Sequence, residues 1–290
     1  MILDDFSSGE ADDRSILPAR IIRGSVLDAG LVSDLTRDCD GIIHLAAVVG
    51  VRQAMNRTLA TLRVSFRGTE NVLQAATDTN TKVFVASSSA VYGKIRDVPV
   101  TEEADCLLGS SDKPSWTYSA GKLVEEHLAT AYHREFGTQV KIGRFFNVIG
   151  PHQRSAQGMV VPTFIARALR GKPLIVYGTG RQTRTFAYIE DALDGLELVL
   201  RKGQTGTAYN IGGTEEVTIL ALADRIIQLT GSSSCIHTVE YTEAFDEQFE
   251  ETLRRMPDIS RLRTLGYEPQ FSLDQALGEI ICHFRTWGES

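Results

Sequence analysis

The sequence predicts an α/β protein, a doubly wound parallel sheet followed by a smaller α/β lobe. Three observations carry this. Short apolar runs of strand length alternate with helix-period segments, the order expected of βαβ units. Those runs are nearly all apolar rather than alternating, as in strands covered on both faces. The 290 residues, 42% hydrophobic and 23% charged, have the balance of an ordinary globule, which excludes disorder, collagen and coiled coil.

Residues 41–47, 82–86 and 140–145 are the strand-like runs of the first half. Residues 69–77 and 118–136 lie between them as helices. In the second, Leu123, Leu128, Ala131 and Tyr132 form an apolar stripe, and Glu125, Glu126, Arg134 and Glu135 are expected on the solvent side. Beyond Gly150-Pro151 the pattern loosens. Residues 160–170 and 219–230 are helical, with Gly231 as a stop, and 174–177 and 208–211 are strands. The acidic residues 240–251 read as a loop or solvated face. A boundary near Gly150 divides residues 1–150 from 151–290, with some later elements returning to the first part.

Charge and cysteines narrow the function. Thirty basic against 37 acidic residues give a net charge of −7, which argues against a nucleic-acid partner. No apolar run has the length of a membrane span, so no membrane partner is expected. Cys39, Cys106, Cys235 and Cys282 lie far apart without a CxxC pair, the pattern of free thiols in a reducing cytoplasm. Among the histidines, His44 reads as structural. His127, His133, His152, His237 and His283 make no ligand spacing, so no metal is expected.

Two features point to chemistry. Tyr118 and Lys122 are four residues apart at the start of a helix, which stacks them on one face. An ammonium beside a phenol stabilises the phenolate and makes it a usable base. The hydroxyl cluster Ser87-Ser88-Ser89-Ala90-Val91-Tyr92-Gly93 follows directly on a strand, where open α/β sheets bind ligands.

With these motifs the chain resembles the extended short-chain dehydrogenase/reductases, specifically the NAD-dependent nucleotide-sugar epimerases and dehydratases. Leu3-Asp4-Asp5-Phe6-Ser7-Ser8-Gly9, His44-Leu45-Ala46-Ala47, Arg144-Phe145-Phe146-Asn147, Val176-Tyr177-Gly178, Gln182-Thr183-Arg184 and Arg254-Arg255-Met256-Pro257-Asp258 carry the resemblance further. It implies a Rossmann-like fold with Ser88, Tyr118 and Lys122 as the catalytic residues. It also implies an NAD cleft formed by Asp4, Asp5, Phe6, Ser7, Ser8, Gly9, Ser25, Val26, Leu45, Ala46, Ala47 and Phe145, beside Tyr118 and Lys122. Asp4, gripping ribose hydroxyls, favours NAD over NADP. Ser65 stands where the family often has asparagine. Asn147, Val161, Tyr177, Arg184, Arg255 and Asp258, with Ser88, fall on positions that hold the nucleotide-diphosphate sugar, a UDP-sugar by preference. Helices 69–77 and 118–136 would form a homodimer interface.

Within the 290 residues there is no glycine-rich pyrophosphate turn, and the resemblance starts at the second strand of the family sheet. The expectation is an incomplete sheet with exposed apolar edges and weak NAD binding. Three functions follow. Dehydratases and decarboxylases of this kind carry carboxylates after the catalytic hydroxyl, where this chain has Ser89 and Ala90, so elimination favours 4-epimerisation of a UDP-sugar. UDP-glucuronate decarboxylation is the alternative, supported by Lys113-Pro114-Ser115-Trp116-Thr117-Tyr118. A nucleotide-sugar-binding pseudoenzyme is the alternative of another class.

Overall fold

The computed structural model describes residues 1–7, 19–155, 158–241, 250 and 252–288. Ser8 and Gly9, and most of the acidic stretch after Glu240, lie outside the described residues.

The first half builds a parallel sheet from the predicted runs. Strands β1 (Ile2–Asp4) and β2 (Ile21–Arg23) pair in parallel. Helix α1 (Ala29–Thr36) follows, started by Asp28, whose carboxylate accepts from the Leu31 N–H at 3.0 Å. Then come β3 (Gly41–His44), α2 (Val51–Asn56), α3 (Thr58–Arg63), a π-helical turn at Val64–Gly68, α4 (Thr69–Thr79), β4 (Lys82–Ser88), α5 (Thr117–Phe136) and β5 (Val140–Phe146).

Alternation along the strands explains why helices cover both faces. Val83 and Val85 on β4, with Val140 and Ile142 on β5, face α4 and α5, where Val72, Leu73, Ala76 and Ala129 complete a core. Phe84, between the two valines, points the other way into a second core with Ala192, Val199, Ile211 and Leu262.

The chain then leaves the sheet. Short strands β6 (Val148–Ile149) and β9 (Ala187–Tyr188) pair in parallel. Helix α6 (Val160–Leu169), β7 (Leu174–Tyr177) and β8 (Thr183–Thr185) lie between them in sequence. Helix α7 (Ile189–Lys202) brings the chain back, and β10 (Ala208–Gly212) pairs with β5, giving the order β10-β5-β4-β3. Strand β11 (Glu216–Thr218) pairs antiparallel with β8, and β12 (Ile236–Val239) parallel with β7. Helix α8 (Ile219–Thr230) stops at Gly231 with φ 61°, a left-handed conformation that glycine adopts without strain. Helices α9 (Ser260–Arg263) and α10 (Leu273–Trp287) end the described chain. A further core joins α6, β7, α8 and α10 through Phe164, Ile165, Leu174, Leu222, Leu277 and Ile280.

Two expectations are corrected. Strand β3 ends at His44, three residues earlier than predicted, and it is not covered on both faces. Ile43 is 48% exposed and Leu45 59%. The reason is topological: β3 ends the four-stranded ladder, and the β1–β2 pair is not hydrogen-bonded to it. The second correction concerns α5. Glu125 and Glu126, predicted to face solvent, are both buried.

Candidate active site

The parallel strands bring their carboxyl ends to one edge, and the predicted catalytic residues meet there. Ser88 ends β4, opposite Phe145 of β5. Its hydroxyl accepts from the Ala90 N–H at 3.2 Å and starts a 3₁₀ turn at Ser89–Tyr92. That turn fixes the hydroxyl at the sheet edge, half-buried. Ser89 and Ala90 are buried beneath it and carry no carboxylate.

Tyr118 and Lys122 come from the first turns of α5, which crosses behind β4. The Lys122 ammonium lies 6.0 Å from the centre of the Tyr118 ring. It donates to the Ala86 carbonyl at 2.8 Å and to Glu125 Oε2 at 2.9 Å. Burial alone would lower the Lys122 pKa, but the charge of Glu125, then that of Tyr118, and the Glu125 hydrogen bond turn the shift upward.

Behind the edge lies a buried polar network. Arg144 on β5 grips Glu126 through Nε at 2.9 Å and Nη2 at 2.7 Å, and donates from Nη1 to the Tyr92 hydroxyl at 2.8 Å. Tyr92 donates to Asn210 Oδ1 at 2.7 Å. Ser87 donates to Glu126 in a short hydrogen bond. Burial pushes the Tyr92 phenol up to about 12, against the pull of Arg144. His44 is satisfied by Thr69, 3.0 Å away, and burial followed by the Lys122 charge holds its pKa at about 3.

The other predicted positions distribute along the same edge and beyond it. Asp4 ends β1 and accepts from the Phe6 N–H at 2.7 Å, while Asp5 accepts from Ser7 N–H at 2.9 Å. Phe6 has a φ of 56° and lies beneath the Arg23 guanidinium. Ser25 and Val26 follow β2; Leu45, Ala46 and Ala47 follow β3. Phe145 is half-buried on β5, edge-on to Phe84.

Asn147 takes φ 38°, a conformation uncommon outside glycine, and donates to the Thr185 carbonyl at 2.8 Å. Tyr177 ends β7, 6.4 Å from the Tyr241 ring. Arg184 on β8 donates to the Thr183 carbonyl, and Arg255 to Thr252 Oγ1 at 2.9 Å. Asp258 accepts from Ser260 N–H at 2.7 Å, and its pKa is lowered first by the Ser260 hydroxyl and then by that backbone bond. Val161 is 1% exposed, with its side chain in the core that α6 joins.

Reading the sequence missed Glu125 and Glu126. The signal was present: 118, 122, 125, 126 and 129 share one helical face, the face that places Tyr118 and Lys122 against the sheet. Cys106 is half-buried, and burial raises its thiol pKa. Among the described residues no group of three or more histidines, cysteines or carboxylates could hold a metal ion. Nor is any described helix long and apolar enough to cross a membrane.

Comparison with known proteins agrees with this geometry. The model of the NAD dependent epimerase/dehydratase family matches residues 3–212. UDP-N-acetyl-alpha-D-glucosaminuronate decarboxylase of Bacillus cytotoxicus is 37% identical, over 98% of this chain and 89% of that protein. UDP-glucuronic acid decarboxylase 1 of Xenopus tropicalis is 34% identical over 90% of this chain, which spans 60% of that protein. Among solved structures, the dTDP-glucose 4,6-dehydratase DesIV of Streptomyces venezuelae, with NAD and TYD bound, matches with a TM-score of 0.87 at 29% identity. That match covers 98% of this chain and 86% of DesIV. UDP-glucuronic acid 4-epimerase of Bacillus cereus, in complex with UDP-glucuronic acid and NAD, matches with a TM-score of 0.81 at 30% identity, covering 92% and 81%. With its Ser-Tyr-Lys constellation at the carboxyl edge of a parallel sheet, the chain belongs to the NAD-dependent epimerase/dehydratase family of nucleotide-sugar enzymes.

Proposed function

We propose that this protein oxidises the 4-hydroxyl of a UDP-sugar and returns the hydride to the opposite face, a 4-epimerisation. One observation carries the choice: Ser88 ends β4, Lys122 reaches the Ala86 carbonyl of that strand with the Tyr118 ring beside it, and the positions after Ser88 are Ser89 and Ala90. Dehydration needs groups that move protons at neighbouring carbons, and neither residue has a carboxyl for that.

The edge suits NAD at both ends. An ammonium has three N–H donors, and Ala86 and Glu125 take two of those on Lys122, leaving one for a ribose hydroxyl. Asp4 ends β1 where the adenosine ribose lies in doubly wound sheets. Ser25, Val26, Leu45, Ala46, Ala47 and Phe145 complete the cleft in this reading. Bound NAD supplies hydride acceptance and return. The protein's own work is proton transfer and positioning. Tyr118, as the phenolate that Lys122 stabilises, takes the proton from the 4-hydroxyl and becomes the neutral phenol, and Ser88 hydrogen-bonds the reacting oxygen. Residues 151–290 mainly hold the sugar nucleotide, through Asn147 at their border and Tyr177, Arg184, Arg255 and Asp258.

Decarboxylation of a UDP-uronate is the second reading, favoured by the 37% identity with the Bacillus cytotoxicus decarboxylase. Oxidation at C4 turns a uronate into a β-keto acid, which loses carbon dioxide without a carboxylate base, so Ala90 does not bar it.

The test incubates the protein and NAD separately with UDP-glucose, UDP-N-acetylglucosamine, UDP-glucuronate and UDP-N-acetylglucosaminuronate, and resolves products by NMR. Inversion at C4 supports the proposal. A UDP-pentose with release of carbon dioxide selects the second reading. Sugar-nucleotide binding without turnover of any of the four would leave a binding protein.

A further inference from the structure

Lys122 is 3% exposed and Glu125 0%. An ammonium in such surroundings tends to lose its proton, because burial disfavours the charged form. A neutral amine could neither stabilise a phenolate nor reach a ribose hydroxyl with the same polarity. The site therefore needs something to keep Lys122 charged, and Tyr118 cannot do so while it carries its own proton.

We propose that Glu125 is a positioning residue of the active site, whose buried carboxylate holds the Lys122 ammonium charged and aimed at the sheet edge. The geometry supports this in three ways. Glu125 Oε2 accepts from Lys122 at 2.9 Å and, with the Ala86 carbonyl at 2.8 Å, fixes two of its three N–H directions. Burial raises the Glu125 pKa, and the Lys122 charge, its hydrogen bond and then the Ser65 side chain, from the π-helical turn, oppose that rise and favour the carboxylate. Gly121 permits that approach, since a Cβ there would stand 2.7 Å from the Ser65 hydroxyl. Finally, Glu125 Oε1 is buried without a hydrogen-bond partner of normal geometry, a cost that attraction to Lys122 offsets.

The other charged groups nearby are committed elsewhere. Glu126, on the same helix, is held by Arg144 of β5. His44 of β3 is kept neutral by burial and by Lys122 itself, down to a pKa of about 3. Tyr118 faces Lys122 from the preceding turn. Glu125 is thus the carboxylate in direct contact with the lysine.

The inference rests on the proposed role of Tyr118 and Lys122, but its test reads the lysine directly, without turnover. Lysine labelled with ¹³C at Cε, assigned with Lys122→Met, gives the titration of Lys122 by NMR. In the wild type the Lys122 signal should stay in its protonated position through pH 10. In Glu125→Gln it should titrate lower by about one pH unit or more. Glu125→Asp, which keeps the charge, should recover at least half of that shift. In the NAD-loaded enzyme, kcat of Glu125→Gln should fall on the alkaline side with the same midpoint, while KM changes less than threefold.

Equal Lys122 titrations in wild type and Glu125→Gln would overturn the proposal. Should Glu125→Gln fail to fold, the wild type decides: a Lys122 that titrates below pH 10 shows that the carboxylate does not hold its charge. Failure of the epimerase reading would change products and leave these titrations as they are.

Discussion

Tyr118 and Lys122 are the side chains on which the proposed chemistry depends most. General-base catalysis contributes 10²–10⁴-fold, so Tyr118→Phe should lower kcat by about that factor. Sugar-nucleotide affinity should change little, because the phenol is not among the groups proposed to hold the diphosphate. Single-turnover kinetics with NAD present would separate the two effects. A Tyr118→Phe protein with wild-type kcat would remove Tyr118 as the base.

His44 makes a different prediction, about stability. Burial keeps it neutral down to about pH 3, whereas in an unfolded chain histidine takes up a proton near pH 6.5. Between those values the unfolded chain binds a proton that the folded one refuses, so stability falls as pH drops from 6.5 towards 3. His44→Gln keeps a polar partner for Thr69 without this titration. Its urea midpoint should therefore fall less than that of the wild type between pH 7.5 and pH 5. Equal falls in both proteins would assign the acid sensitivity to other groups.

Helix α5 shows how one element assembles a site. It offers Tyr118 and Lys122 to the sheet edge from its first turns, then buries Glu125 and Glu126 one turn later against Lys122 and Arg144. Truncating one partner of a buried pair costs about 3–5 kcal/mol, since the other charge is left uncompensated. A second device joins early and late segments of the chain. Glu250 accepts from Lys94 at 2.6 Å, Lys113 at 2.7 Å and Trp116 Nε1 at 2.8 Å. Its pKa is held down at about 2, first by Lys113, then by Lys94 and Trp116. The folded-state pKa is depressed, so this link is intact above the ordinary carboxylate range and is lost as pH falls towards 2. In a Trp287→Phe background, Trp116 fluorescence should shift to the red between pH 4 and pH 2. With Glu250→Gln added, the shift should already be present at pH 7. An emission maximum at pH 7 that does not respond to Glu250→Gln would show that the link does not set the Trp116 environment.

Among the described residues, an apolar face on α3 and the turn after it is exposed. Leu59 and Leu62 of α3, Phe66 of the following turn and Val124 of α5 are exposed together. The first three recur at helical spacing and so share a face. We propose that this face closes a homodimer, with α4 and α5 at its centre. Analytical ultracentrifugation should find a dimer, and Leu62→Glu with Phe66→Glu should give a folded monomer. A monomeric wild type would refute the assignment of this surface.

The fold class was legible because β4 carries the continuous apolar run Val83–Ala86 and because the helices that alternate with the strands repeat at helical period. Residues 174–177 and 219–230, predicted as strand and helix, match β7 and α8 end to end. The pair Tyr118 and Lys122 was visible as a local spacing, one turn apart on a helix, and its proposed catalytic role came from the resemblance. What tertiary structure decided was the state of the charges and edges. Glu125 and Glu126 read as surface residues until β4 and β5 supplied Ala86, Ser87 and Arg144 as neighbours. Ile43, in a run read as covered on both faces, is half exposed because the ladder order leaves β3 at an edge. Local periodicity fixes which face a side chain points to; whether that face meets water, a sheet or a countercharge depends on partners distant in sequence.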